Sequence, residues 1–139
     1  MKLRLQATPE EVMRAVEAWQ RFAQARAVPE KATFGLALAL EECASNIVNH
    51  ALRGDPRQAF EIAIQQTGDA IVIELRDPGP EFDPTAAAER PPQADDDDQP
   101  GGWGIQLVRR YVDEVRYERV ADENVLRLSK RLVPPSGPG

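Results

Sequence analysis

Cysteine, long apolar runs and positive charge are all scarce in this sequence. Cys43 is the single cysteine, so no disulfide can form within the chain, and a zinc site built from several cysteines is excluded. No apolar stretch approaches the ~18 residues that a membrane span needs, and the first residues lack the apolar core of a signal peptide. We therefore expect a cytoplasmic protein that does not bind membranes.

Acidic residues outnumber basic ones, 23 to 17, which gives a formal net charge of -6. A protein that binds nucleic acid needs a cationic surface to displace counterions, so nucleic acid is not an expected partner. With 42% hydrophobic and 29% charged residues, the composition is ordinary for a globular protein. A chain of 139 residues is enough for one domain but not for two. We predict a single domain over residues 1–133, followed by a disordered tail over residues 134–139.

The hydrophobic pattern predicts eight elements in the order strand, helix, helix, strand, strand, helix, strand, strand. The first strand begins at Lys2, and Thr8, Pro9 and Glu11 have the spacing of a capping box at the start of a helix. Apolar residues then continue through residues 32–52 in a second helix. Alternation of apolar and polar residues predicts a hairpin with strands at 60–64 and 71–75, and a second strand pair at 115–120 and 125–132. Helical spacing predicts a helix at 105–111, before the second pair.

This order predicts an α+β fold, a two-layer α/β sandwich with the helices on one face of a mixed, mostly antiparallel sheet. Residues 78–102 are dominated by proline, alanine, glycine and acidic residues, with four consecutive aspartates at 95–98. Such a segment cannot bury enough apolar surface to order itself unaided. We therefore expect it to lack regular structure.

The second helix combines an apolar seam with a polar stripe of Glu42, Asn46, Asn49 and His50, at about 100° per residue. Asparagine has poor helix propensity, so two within four positions lower helix stability without a structural return. Asn46 can offer its carbonyl oxygen to Mg²⁺, and Glu42, one turn away, can accept a proton from a nucleophile. The alternative interpretation is an ordinary solvated helix face.

Two glycine-containing segments indicate further chemistry. Asp77 ends the second hairpin strand on its inner face, where the amino group of an adenine would supply the donor that a buried acid needs, and Gly79 would leave room for a flat ring. A turn closed by an Asx hydrogen bond is the alternative. Residues 101–108 form a glycine-rich loop that opens a helix, which suits either phosphate binding or a flexible hinge.

In this order the three segments resemble the nucleotide-binding boxes of the gyrase, chaperone, histidine-kinase and mismatch-repair ATPase superfamily, and more closely its stand-alone anti-sigma-factor serine/threonine kinases. The resemblance implies the histidine-kinase-like ATPase (Bergerat) fold, with ATP or ADP and Mg²⁺ bound between the helical layer and a mobile lid at about residues 78–102. It implies that Glu42 is the catalytic base and that Asn46 holds the metal. The cofactor-binding residues that it implies are Asn46, Asn49, His50, Asp77, Gly79, Gly101, Gly102, Gly104, Ile105 and Leu107.

The resemblance also implies a serine protein kinase that phosphorylates an anti-anti-sigma protein, binds a sigma factor or similar regulator, and forms a homodimer. The sequence departs from the family pattern at Glu81, where a second glycine is common, and in the acidic run at 95–98, since Arg90 is the only cation of the lid. These departures favour an alternative, a non-catalytic module that sequesters a regulator with weak or no nucleotide binding. A third interpretation is a free-standing ATPase in which Glu42 activates water.

Overall fold

A computed structural model of the chain describes residues 1–87 and 102–132. The strands are β1 (Lys2–Gln6), β2 (Ala59–Thr67), β3 (Ala70–Asp77), β4 (Glu114–Val120) and β5 (Glu123–Arg131). The helices are α1 (Pro9–Ala25), α2 (Glu30–Asn46), α3 (Pro84–Ala87) and α4 (Gly102–Tyr111), and a π-helical segment (Ile47–Ala51) continues α2. None of the described helices is long and apolar enough to cross a membrane. The acidic run at 95–98, Arg90 and the predicted tail at 134–139 lie outside the described residues.

The five strands form one sheet in the order β1-β2-β3-β5-β4. Every strand pair within the described residues is antiparallel, so the sheet that was predicted as mixed contains no parallel pair there. The predicted α+β class is confirmed. The pairing of β3 with β5 places Asp77 directly opposite Asn124. The end of β3 and the start of β5 are therefore neighbours, although 47 positions separate these two residues.

The core lies between the sheet and the helices. Alternate residues of β2 and β3 are buried, as the period of a strand requires when one face is covered. The fully buried ring of Trp19 in α1 donates from Nε1 to the carbonyl oxygen of Thr33 in α2 at 3.0 Å, which fixes the two helices against each other. The other sheet face carries charged groups, and Glu74 there pairs with both Arg76 and Arg127. The two faces are thus chemically distinct.

The predicted start of α1 is confirmed in its cap. Thr8 accepts a hydrogen bond from the backbone N–H of Glu11 at 3.2 Å, and Pro9 occupies the first helical position. The Glu11 carboxylate accepts from the backbone N–H of Gln6 at 3.2 Å, two residues before the cap. The reciprocal bond of a capping box therefore reaches back into β1 and fixes the angle between strand and helix.

Two local predictions were wrong. The second helix was expected to stay α-helical to residue 52, but Leu52 N–H donates to the carbonyl oxygen of Ile47 at 2.8 Å, a bond to the fifth residue back, as in a π-helix. The start of the lid was expected to lack regular structure, but it contains α3. The side chain of Asp83 accepts from the backbone N–H of Thr85 at 2.9 Å, so this turn is held by local bonds and needs little apolar burial.

We expect Trp19→Ala to lower the free energy of unfolding by about 3–5 kcal/mol, because it removes a large buried ring and leaves a cavity. Urea unfolding followed by circular dichroism measures this loss. Met13→Ala, on the same helix with 46% of the residue exposed, is the matched control and should change the free energy by about 0.5 kcal/mol or less. A loss as small for Trp19→Ala would contradict the packing of α1 on α2.

Candidate functional site

Within residues 1–87 and 102–132, the buried polar side chains are Asn46, Asp77 and Asn124. All of them line one small cavity between α2 and the end of the sheet. The cavity has a volume of about 20 Å³, which is room for one water molecule. Its remaining walls are Cys43, Ile47, Phe82, Pro84, Tyr117 and Leu126. Because polar side chains are rarely buried without a use, this concentration marks the candidate site.

Asp77 lies on the wall of the cavity that the sheet provides, with only 3% of the residue exposed. Its Oδ1 accepts from the backbone N–H of Gly79 at 2.9 Å and from Nδ2 of Asn124 at 3.0 Å. Within the described residues, no hydrogen bond reaches Oδ2. The Asx bond considered from the sequence is thus present, and the carboxylate still keeps an oxygen for another donor.

Burial raises the pKa of Asp77, and the hydrogen bonds from Asn124 and Gly79 oppose that rise. The positive charge of Arg119 opposes it as well. The carboxylate is therefore supported by nearby donors but remains less stable in its charged form than an exposed aspartate.

Gly79 is required by close contact with the end of the helix. A Cβ at this position would lie 2.7 Å from the carbonyl oxygen of Ala51 and 2.9 Å from Oδ1 of Asp77. The first of these atoms belongs to the backbone and cannot move aside cheaply. The turn after β3 therefore approaches the π-helical segment closely, and this approach holds Asp77 beside α2.

Asn46 and Glu42 lie one turn apart on α2 but face different neighbours. Asn46, the last residue of α2, is 9% exposed and lines the cavity, and its side chain makes no hydrogen bond within the described residues. The side chain of Glu42 lies against Gly104 in the first turn of α4, where a Cβ would come within 2.6 Å of its Cδ and Oε1. Glu42 therefore lies at the contact of α2 with α4, one turn from the cavity.

Cys43, between these two residues, is a packing residue. It is 2% exposed, and burial, followed by the charge of Glu42, raises the pKa of its thiol to about 12. The thiol therefore stays protonated and unreactive at neutral pH.

The predicted polar stripe does not form one continuous surface, because the π-helical segment turns less per residue than the α-helix assumed from the sequence. Asn49 and His50 are exposed, and neither lines the cavity. The ring of His50 stacks on the ring of Phe82, with centroids 6.2 Å apart and planes at 18°. Since Phe82 is a cavity wall, His50 is connected to the site through that ring.

The glycine-rich loop is described only from Gly102, the first residue of α4, so the predicted site residue Gly101 lies outside the described residues. Gly104 is buried against Glu42. The side chain of Ile105 is fully buried in the core and that of Leu107 is half-buried. Of Ile105, only the backbone can therefore take part in a ligand site.

Asn124 has no role in the sequence-based prediction, where it lies between the strands predicted at 115–120 and 125–132; in the structure it belongs to β5. The signal that could have found it is the strand order, since only the pairing of β3 with β5 brings Asn124 opposite Asp77. Tyr117 was missed for the same reason. It reaches Asn124 from β4 with its hydroxyl 2.6 Å from the amide oxygen.

The donor and acceptor set fits a purine nucleotide with Mg²⁺. Asp77 Oδ2 suits an exocyclic amine, and the oxygen of Asn46 is a hard ligand for a small divalent cation. No group of three or more His, Cys, Asp or Glu residues within the described residues could hold a metal by itself, so phosphate oxygens would have to supply the other ligands. Ligand pockets usually measure about 300–1,000 Å³, so the Phe82 and Pro84 walls have to move before a base can enter.

Comparisons with known proteins identify the family of this chain. Residues 5–130 match the family model described as a histidine kinase-like ATPase domain. The chain is 34% identical to the serine/threonine-protein kinase BtrW of Bordetella bronchiseptica over 104 residues, which cover 74% of this chain and 73% of that protein. The resemblance to the histidine-kinase-like ATPase superfamily that was inferred from the sequence is thereby confirmed.

Two solved structures have a similar fold. The structure of the RsbU and RsbW domains of a Mycobacterium tuberculosis protein aligns with a TM-score of 0.68 at 18% identity, over 98% of this chain and 34% of that one. The chain therefore spans about a third of that protein's structure. The SiaB-SiaC complex from Pseudomonas aeruginosa aligns with a TM-score of 0.70 at 14% identity, over 93% of this chain and 88% of that one. At these identities the likeness concerns the fold alone.

The raised pKa of Asp77 predicts a particular dependence of stability on pH. The folded state binds this proton more tightly than the unfolded state, so the stabilisation is complete below the ordinary aspartate pKa of 3.8 and is lost as pH rises through the raised value. We expect the wild type to lose free energy of unfolding relative to Asp77→Asn as pH rises from 3.8 through the raised pKa of Asp77. Urea unfolding at several pH values measures the difference.

Asp55→Asn is the control of opposite sign, because hydrogen bonds from Arg57 lower the pKa of Asp55. Its carboxylate stabilises the fold above the ordinary aspartate pKa, and this is lost as pH falls through the lowered value. A difference between wild type and Asp77→Asn that stays constant with pH would contradict the burial of an ionisable Asp77.

Proposed function

The chain belongs to the histidine kinase-like ATPase domain family, and from this we propose that it is an ATP-dependent serine/threonine protein kinase that regulates a partner protein. The convergence of Asp77 and Asn46 on one cavity, with Glu42 one helical turn away, carries the proposal. The name of the relative from Bordetella bronchiseptica supports the kinase assignment. We further propose that residues 1–133 act as one domain, in a cytoplasmic homodimer.

Adenine recognition rests on the carboxylate of Asp77. Its Oδ1 is already held by Gly79 and Asn124, so Oδ2 accepts the hydrogen bond from the adenine amino group. Gly79 keeps the backbone turn close to the helix end and so fixes the carboxylate. His50 is stacked on Phe82, which is a wall of the same cavity.

Phosphate binding belongs to the region between α2 and the start of α4. Asn46 would hold Mg²⁺ through its carbonyl oxygen, and the bound ion would neutralise charge on the phosphates. Backbone N–H groups of Gly102, Gly104 and Ile105 at the start of α4 donate to phosphate oxygens, together with that of Gly101, the preceding residue. Asn49 lines the phosphate channel, and the side chains of Ile105 and Leu107 keep α4 in place.

Glu42 acts as the general base. Its carboxylate accepts the proton of a seryl hydroxyl while the seryl oxygen forms a bond to the γ-phosphorus and the bond to the leaving ADP oxygen breaks. The side chain of Glu42 packs directly against Gly104, so closely that any Cβ at position 104 would collide with it. This contact limits the positions that the Glu42 carboxylate can take. Phosphoryl transfer requires mainly positioning, so a small set of residues is sufficient.

The substrate in this proposal is an anti-anti-sigma protein with an acceptor serine, and a sigma factor or similar regulator is the second partner. Two observations support partner binding. The solved neighbours of the same fold include an RsbW domain and SiaB in complex with SiaC. The face of the sheet that carries Glu74, Arg76 and Arg127 is charged and offers a surface for a protein.

A non-catalytic module that sequesters a regulator is the second candidate. The observation that favours it is the narrow cavity, which Phe82 and Pro84 help to close. Glu81, just before these two residues, occupies a position where the family often has glycine. In that case the fold would serve as a binding surface, and nucleotide would bind weakly or not at all.

Binding of Mg-ATP distinguishes the two candidates. We expect calorimetry to detect Mg-ATP binding to the wild type, and Asp77→Asn to weaken it by about tenfold or more, because an amide replaces the charged acceptor of the adenine amine. Asp122→Asn, which removes an exposed carboxylate from the turn between β4 and β5, is the matched control and should bind as the wild type does. A wild type that binds no Mg-ATP favours the sequestering module.

Phosphoryl transfer tests Glu42. With ATP labelled at the γ-phosphate and a serine-bearing partner, we expect Glu42→Gln to lower the transfer rate by about 10²–10⁴-fold while ATP affinity stays nearly unchanged. Gel autoradiography measures transfer, and calorimetry measures affinity. Transfer at the wild-type rate would exclude Glu42 as the base, and phosphate release without any partner would instead identify a free-standing ATPase.

A further inference from the structure

We propose that Asn124 is a positioning residue that orients Asp77 toward the nucleobase and thereby sets the preference for a purine with a 6-amino group. The inference rests on the proposed function, since it concerns the same nucleotide site. It extends that function by a residue of β5 that neither the sequence pattern nor the comparisons single out.

Asn124 is buried, with 4% of the residue exposed, and its amide makes hydrogen bonds in two directions. Its Nδ2 donates to Oδ1 of Asp77 at 3.0 Å and to the carbonyl oxygen of Pro80 at 2.8 Å. Its Oδ1 accepts from the backbone N–H of Phe82 at 3.0 Å, from the hydroxyl of Tyr117 at 2.6 Å and from Nη1 of Arg119 at 3.2 Å.

These partners fix the orientation of the amide. If nitrogen and oxygen exchanged places, the NH₂ group would face the N–H of Phe82 and the guanidinium of Arg119, and the oxygen would face the carboxylate of Asp77. Both N–H donors of Asn124 are used within the protein, and its oxygen is surrounded by donors. Asn124 therefore acts on a ligand through Asp77 and not by direct contact.

The bond to Oδ1 limits the rotation of the Asp77 carboxylate. The N–H of Gly79 alone leaves the carboxylate plane free to turn, whereas two donors on the same oxygen direct Oδ2 toward the cavity. Arg119 strengthens the arrangement, because the same Nη1 also donates to the carbonyl oxygen of Gly79 at 2.7 Å. One hydrogen-bond network centred on Asn124 thus holds both the turn after β3 and the Asp77 carboxylate.

The same amide fixes the backbone of Phe82, whose side chain is a wall of the cavity. One residue therefore sets both the acceptor for the base and the segment that covers it.

The test compares two nucleotides that differ only in the 6-amino group, ATP and purine riboside triphosphate, each with Mg²⁺. The wild type should bind ATP about tenfold more tightly than purine riboside triphosphate, since only ATP offers a donor to a charged acceptor. In Asn124→Ala we expect ATP affinity to fall about tenfold and purine riboside triphosphate affinity about twofold or less, so that the preference is lost. Calorimetry gives all four affinities.

Equal loss of both affinities would overturn the inference, since a purely structural role weakens the two nucleotides alike. A wild type that binds both nucleotides with the same affinity would overturn it too, while leaving a nucleotide-binding kinase in place. A wild type that binds neither would refute the proposed function and this inference together.

Circular dichroism first establishes whether Asn124→Ala folds. If it does not, Tyr117→Phe decides the matter, because it removes one donor to the Asn124 oxygen and keeps the ring in place. We expect Tyr117→Phe to reduce the preference for ATP about threefold with little change in binding of purine riboside triphosphate. The control Asp122→Asn, in the turn between β4 and β5, should keep the full preference for ATP. An unchanged preference in Tyr117→Phe would overturn the inference.

Discussion

The hydrogen bond between Asp77 and Asn124 is the contact on which the geometry of the site depends. Strands β3 and β5 are adjacent only in the folded sheet, so this bond exists only when the whole sheet has formed. It joins the turn after β3 and the β4–β5 hairpin at one cavity, and the contact of Gly79 with Ala51 adds the end of the π-helical segment. Burial of a carboxylate is unfavourable without donors, and these elements supply them.

A site of this kind reduces the stability of the domain in which it lies. The core around Trp19 and the inner faces of β2 and β3 are apolar and well packed, whereas the described buried polar groups are gathered at one end of the sheet. The asparagine at the end of α2 and the buried aspartate are each less favourable for stability than an apolar residue. The π-helical segment after α2 is a rare geometry that occurs frequently at functional sites. Their occurrence together is expected of a ligand site that a strong core supports.

The amino-acid pattern predicted much of the fold, because strands and helices with one buried face have a clear period. Leu36, Leu40 and Ala44 recur at the spacing of one helix face, and all three are fully buried. Asp77 alternates in phase with Ile73 and Leu75, which placed it on the inner face of β3. Asn46 follows Glu42 by one helical turn, which placed it in the polar stripe of the second helix. The π-helical segment was not predictable, because nothing in a hydrophobic period distinguishes it from an α-helix. Asn124 was missed because its role depends on a strand pairing across 47 positions.

A crystal structure with Mg²⁺ and a non-hydrolysable ATP analogue tests the central claim most directly. Our account predicts the adenine amino group within hydrogen-bond distance of Oδ2 of Asp77, with Oδ1 still held by Asn124, Phe82 moved from its place in the cavity wall, and the metal on Asn46. An analogue bound elsewhere on the domain, or an adenine in this cavity whose amino group faces away from Asp77, would contradict it.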